Sequence, residues 1–109
     1  MVEKNNKRIY ICGKVSGLPY TQVLQKFENA EKHALEVLGY SYAINPLKFN
    51  AQDADWHFAM KRCIGNLMQC DAIYMLPDWP QSRGAILERF IASNLGIEII
   101  EADAVQVPG

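Results

Sequence analysis

Four short apolar runs, separated by three helix-length segments, constrain what this chain can fold into more than any other feature. Residues 8–12 (RIYIC), 40–44 (YSYAI), 71–76 (DAIYML) and 97–100 (IEII) are rich in β-forming side chains and bounded by glycine, proline, asparagine or polar turns. The first segment between them carries Val23, Leu24, Phe27, Ala30, Ala34, Val37 and Leu38 at helical spacing and stops at Gly39. The second, from about residue 53, places Trp56, Ala59, Met60, Cys63, Ile64, Leu67 and Met68 on one stripe, which reads as core rather than as a cofactor box. The third runs from about Ser82 to Leu95 and ends at Gly96. Strands this continuously apolar, joined by segments long enough for crossovers, predict an α/β protein with a parallel sheet covered on both faces. Residues 101–109 are read as an added edge strand or a loose tail.

The chain has 109 residues, which suits one domain with one core. Its formal net charge is −1 and no basic cluster exceeds Lys7-Arg8. Binding to a nucleic-acid polymer rests on neutralising many phosphates, so this balance argues against it and leaves a single nucleotide open. Three cysteines with no CxxC pair and no matching histidine spacing imply reduced structural thiols and no metal site. The polar start MVEKNNKR offers no apolar stretch for a signal peptide or a span, so a cytoplasmic protein away from membranes is expected.

In open α/β sheets ligands bind beyond the carboxyl ends of the strands, which directs attention to the loops after the first three strands. Gly13 to Gly17 offers backbone N–H groups, the Ser16 hydroxyl and the Lys14 charge, a set suited to a phosphate. The same loop also reads as no more than a tight strand-to-helix turn. Pro77-Asp78-Trp79-Pro80 must be irregular, since two prolines forbid both ladder and helix. After it, Ser82 can cap the third helix, and Gly84 can let a ligand approach the positive end of the helix dipole.

Glu88 is the anomaly of that helix. It falls with Gly84, Ala92 and Leu95 on the half that should be buried, opposite Arg89 and Ser93, and has no evident helical partner. A core hydroxyl or a subunit contact could satisfy it. Alternatively it faces the crevice as a nucleophile or acid. His33, on the polar side of the first helix, and His57, beside the stripe of the second, are weaker candidates.

IYICG at residues 9–13, MQCDAIYMLPDW at 68–79, SRGAILE at 82–88 and LGIEII at 95–100 together resemble the nucleoside 2-deoxyribosyltransferase superfamily, especially its small bacterial and phage members. The resemblance covers roughly residues 8 to 100. It implies a flavodoxin-like (Rossmann-like) three-layer sandwich with a four- to five-stranded parallel sheet, a homo-oligomer, and action on the N-glycosidic bond of a nucleoside or nucleoside monophosphate without a cofactor. Glu88 matches the glutamate that attacks the anomeric carbon, Tyr10 an aromatic that touches the nucleophile or sugar, and Gly13 the glycine that admits the ligand.

Ser82 stands where, by the same resemblance, the monophosphate-hydrolysing relatives carry a serine facing the phosphate, with Lys14 and Ser16 nearby in the first loop. Trp79 is placed to stack on a base or to pack on its own loop. Many relatives carry an aspartate in an R-D-I-like stretch of the second helix, where this chain reads Arg62-Cys63-Ile64. That leaves Asp78 as the nearby acid, and little of the C-terminal region that in some relatives reaches a neighbouring active site. Two alternatives to an enzyme follow: a non-catalytic nucleotide or nucleotide-sugar binding module, and an interaction subunit whose assembly covers the crevice.

Overall fold

A computed structural model describes residues 2–102. Its elements are β1 (Arg8–Cys12), α1 (Tyr20–Glu36), β2 (Tyr42–Ile44), α2 (Trp56–Leu67), β3 (Ala72–Met75), α3 (Arg83–Asn94) and β4 (Glu98–Glu101), with single 3-10 turns at Pro46–Lys48 and Trp79–Gln81. The four strands form one all-parallel sheet in the order β2-β1-β3-β4. Helix α1 covers one face and α2 with α3 the other, so the fold is the expected flavodoxin-like three-layer sandwich. A fifth strand would need the tail, which from residue 103 lies outside the described residues.

Two cores result from the strict alternation of the strands. On one face Ile9, Ile11, Ala72 and Tyr74 meet Val23, Phe27, Ala30 and Ala34 of α1. On the other, Tyr10, Cys12, Ile73 and Met75 meet Cys63 and Leu67 of α2 and Ala85 and Ala92 of α3. His33 leaves the polar side of α1 far enough to share a hydrogen bond with the Tyr74 hydroxyl at 2.9 Å.

Element boundaries shift where caps override periodicity. Asp55 Oδ2 accepts the Phe58 N–H at 3.1 Å, so α2 starts at Trp56 rather than near residue 53. Leu24, Val37, Met68 and Leu95, all placed on apolar stripes by spacing, are exposed. Val37, Met68 and Leu95 are C-cap residues, at the ends of their helices. Strand β2 is three residues rather than five, because the chain first makes a turn at Gly39 with φ +82° and the Tyr40 N–H returns to the Ala34 carbonyl at 3.1 Å.

The chain reverses its direction across the sheet between β1 and β3, and the loops leaving their carboxyl ends diverge to opposite faces. Close approach of these loops requires Gly13, where a Cβ would meet Leu76 Cδ1 at 2.6 Å.

Two glycines should respond oppositely to alanine. A Cβ at Gly39 would lie 2.7 Å from the Glu3 carbonyl oxygen in a left-handed backbone, so Gly39→Ala should cost about 2 kcal/mol. Gly65 is exposed inside α2 with nothing within 4 Å of such a Cβ, so Gly65→Ala should add roughly 0.5–1 kcal/mol. Thermal unfolding of the two variants checks this; shifts of the same sign would contradict it.

Candidate functional site

Strand parity builds the site. Because Ile9 and Ile11 point to α1, Tyr10 and Cys12 must point to the opposite face, where α3 lies. Glu88 shares the buried side of α3 with Gly84, Ala85 and Ala92 and is only 5% exposed. The Tyr10 hydroxyl donates to Glu88 Oε2 at 2.6 Å, and the Cys12 thiol donates to Oε1 at 3.2 Å. The carboxylate that lacked a partner along its own helix thus finds both on the central strand.

Burial pushes the Glu88 carboxyl from its ordinary 4.5 up to about 7, against the opposing effect of the Tyr10 and Cys12 hydrogen bonds. Burial, reinforced by the nearby Glu88 charge, also holds the Tyr10 phenol and the Cys12 thiol well above their ordinary values, so both keep their protons and remain donors. The Cys63 thiol is raised in the same way by burial, partly offset by the neighbouring Tyr10 hydroxyl and the hydrogen bond from Asn50. The result is a small polar island in an apolar layer, poised between a charged and a neutral carboxyl near pH 7.

A cavity of about 220 Å³ opens over this island. Tyr10, Cys12 and Glu88 border it from the sheet and α3, while Trp56, Met60 and Cys63 border it from α2. Gly13 and Ser16 contribute from the loop after β1, Asn50 from the segment after β2, and Ser82 and Gly84 from the start of α3. The Ser82 side chain accepts the Ala85 N–H at 3.1 Å, capping the helix at the cavity rim. At Gly84 the space a Cβ would need is occupied by Met60 Sδ, 2.9 Å away, so this glycine brings α2 against α3 as well as bordering the cavity.

The remaining residues of the sequence expectation stand outside the cavity border. Asp78 forms an ion pair with Lys26 and accepts the Lys14 backbone N–H at 3.0 Å, which ties the loop after β3 to the loop after β1. The Lys14 ammonium reaches the Gln81 carbonyl at 3.2 Å. Trp79 packs on the α2/α3 core and carries the Arg89 guanidinium 4.6 Å above its ring. Asp78 therefore does not stand opposite Glu88. That place belongs to Cys63, whose Sγ accepts from Asn50 Nδ2 at 3.2 Å.

Several bordering residues were not singled out from sequence. Cys12 was legible in principle, since it lies two positions after Tyr10 and must share its face. The apolar stripe of α2 assigns Trp56 and Met60 to the core. The stripe holds at Cys63 and Leu67, which are buried, whereas Trp56, Ala59 and Met60 in the N-terminal half of α2 border the cavity. Asn50 lies in an irregular segment and had no periodic signal. The Arg83 guanidinium sits 3.9 Å over the Trp56 ring, and His57 is exposed with its ring edge-on to Trp56. Among the described residues no His, Cys, Asp or Glu group is arranged to hold a metal ion, and no helix is long and apolar enough to cross a membrane.

Residues 7–101 match the family described as "Domain of unknown function (DUF4406)". No curated protein matches the chain. The matched span runs from the start of β1 through the end of β4 and includes every residue bordering the cavity.

The raised Glu88 carboxyl makes folding pH-dependent with a definite sign. The folded chain holds this proton up to about pH 7, while the unfolded chain releases it near 4.5. Stability should therefore fall as pH rises through that window, by on the order of 3 kcal/mol from this group, and level off above it. Glu88→Gln removes the titration, so its stability relative to the parent should improve from pH 4.5 to pH 8 in urea unfolding. An equal difference at both pH values would overturn the assignment.

Proposed function

The chain belongs to the DUF4406 family, and from the geometry of its site we propose that the cavity binds a deoxynucleoside or its 5′-monophosphate and that Glu88 breaks the N-glycosidic bond. The observation that carries this reading is a single buried glutamate whose two oxygens are held by Tyr10 and Cys12 beneath an open cavity. Its resemblance to the nucleoside 2-deoxyribosyltransferases supports the same reading. Cytoplasmic location, a homo-oligomer and the absence of a cofactor belong to this proposal too, the oligomer from the resemblance alone.

In the ionised form a Glu88 oxygen attacks the anomeric carbon as the carbon–nitrogen bond breaks, and the electron pair leaves with the base. The base then takes a proton from solvent. Water attacks the same carbon in the second step, giving up a proton and freeing the carboxylate; a second base in place of water would make the reaction a transfer. The oxocarbenium-like states on either side of the intermediate are stabilised by the adjacent carboxylate.

The phosphate of a monophosphate substrate would lie at the N-terminus of α3. Among the described residues no lysine, arginine or histidine borders the cavity, so the anion relies on the Ser82 and Ser16 hydroxyls and on the helix dipole. Ser82 and Glu88 are separated by roughly 9 Å along the helix axis, which leaves room for the sugar between them.

A second reading has an observation of its own. Cys63 stands where many relatives carry an acid, and Glu88 is the one carboxylate that borders the cavity among the described residues. A non-catalytic nucleotide or nucleotide-sugar binding module would keep such a pocket and dispense with leaving-group protonation. It predicts ligand-induced thermal stabilisation with no turnover.

Incubation with a panel of deoxynucleosides and their monophosphates should release free base, with the rate rising as pH increases through about 7, where Glu88 ionises. Glu88→Ala should lose at least 100-fold, an order-of-magnitude expectation for removing a nucleophile. Base release at the parent rate by Glu88→Ala, or none by the parent with any substrate, would overturn the enzymatic reading.

A further inference from the structure

Glu88 is the only carboxylate bordering the cavity among the described residues, and its oxygens are not equivalent. Oε2 takes the Tyr10 hydroxyl at 2.6 Å and Oε1 takes the Cys12 thiol at 3.2 Å. Both donors come from one strand, two residues apart, and both are 1% exposed. A thiol has one hydrogen to give. Its other acceptor, the Ala85 carbonyl, lies at 3.8 Å, and that carbonyl belongs to the turn of α3 preceding Glu88. The shorter contact to the carboxylate is the favoured one, since an ionised acceptor strengthens a hydrogen bond.

We propose that Cys12 is a positioning residue for Glu88: with Tyr10 it clamps the carboxyl plane from the sheet, leaving the lone pairs not taken by these two donors for the substrate. This deepens the glycosidic reading of the same site and rests on it for its catalytic consequence, although the clamp itself is independent of any substrate. Two donors on one rigid central strand remove the freedom that a lone tyrosine contact would leave about the terminal carboxyl torsion, which is broad and roughly two-fold. Cys63 completes the set of titratable groups around the carboxyl. It approaches from α2 and interacts with Tyr10 rather than bonding Glu88 directly. Arg89, next in α3, is engaged by Glu101 at 2.9 Å. Among the described residues no cation is paired with Glu88, and the two sheet donors are its only hydrogen-bond partners.

The electrostatic consequence has a clear direction. Donation to the charged form favours it, so Cys12→Ala should move the Glu88 ionisation further up by about half a unit to one unit. Cys12→Ser keeps a donor of smaller reach and should restore most of the parent behaviour. A thiol that only filled space would leave the ionisation where it is.

The experiment follows the Glu88 carboxyl directly, by carbon-13 NMR of glutamate-labelled full-length chain across pH 5 to 9, with Glu88→Gln identifying the resonance. The parent, Cys12→Ala and Cys12→Ser are compared with no ligand present, and their folding is verified by the amide spectrum. An upward shift in Cys12→Ala, reversed in Cys12→Ser, supports the clamp; unchanged titration in a folded Cys12→Ala overturns it. If Cys12→Ala does not fold, Cys12→Ser and Cys12→Val supply the same comparison, and equal titration in these two overturns the proposal. Where base release is measurable, the acid limb of the pH–rate profile should shift with the NMR titration and kcat should fall more than KM changes. A shifted titration in a chain that releases no base from any substrate would retain the clamp and reject the glycosidic reading, so the two failures are distinguishable.

Discussion

The placement of one carboxyl in an apolar layer is what the rest of the site depends on. Glu88 sits on the buried side of α3 against the sheet, where an unsatisfied charge would cost several kcal/mol, and the fold answers with two donors from β1 rather than a cation. A cation would have locked the carboxylate in its ionised form. Neutral donors leave it near the midpoint of its titration at pH 7, so both protonation states are accessible where a nucleophile or an acid would be needed. That choice ties the site to the centre of the sheet, because donors so rigidly placed must lie on a buried strand flanked on both sides, as β1 is by β2 and β3.

The architecture was legible because it rests on repeated signals. Strand and helix patterns alternate over seven elements, and right-handed parallel crossovers leave few ways to arrange them. Boundaries were less legible, because they depend on single hydrogen bonds. Asp55 captures the Phe58 N–H and starts α2 later than the apolar period suggests, and the turn at Gly39 shortens β2. Met68 and Leu95 show the other limit: periodicity assigns a face, but whether anything lies opposite that face at a helix end is a matter of sheet width.

The site was legible where chemistry contradicts its surroundings and obscure where it agrees with them. Glu88 could be singled out because a carboxylate on a buried stripe is costly. Ser82 and Gly13 follow from caps and turns. Cys12 passed as an ordinary core thiol, and Trp56 and Met60 as an ordinary apolar stripe, because a cavity wall and a packed interface use the same side chains. The loop after β3 misled for a different reason. Asp78 and Trp79 lie close in sequence to Ser82, but the 3-10 turn at Trp79–Gln81 intervenes, and their partners are Lys26 and Arg89 rather than the cavity.

A thiol rather than an acid at position 63 has a physical consequence for Glu88. Two carboxylates sharing a dry crevice repel, and one of them is forced to keep its proton at the expense of the other's ionisation. A thiol there carries no charge at neutral pH, since burial raises its ionisation further. Glu88 is consequently tuned by burial and by its two sheet donors, without a like charge across the cavity. Asn50 Nδ2 donating to Cys63 Sγ at 3.2 Å holds the thiol in place, and the Tyr10 hydroxyl lies between that sulfur and the carboxyl. Introducing an aspartate at this position would therefore do more than add a proton donor. It would couple two titrations that the present chain keeps apart, and push the Glu88 carboxyl higher unless the new group itself stayed neutral.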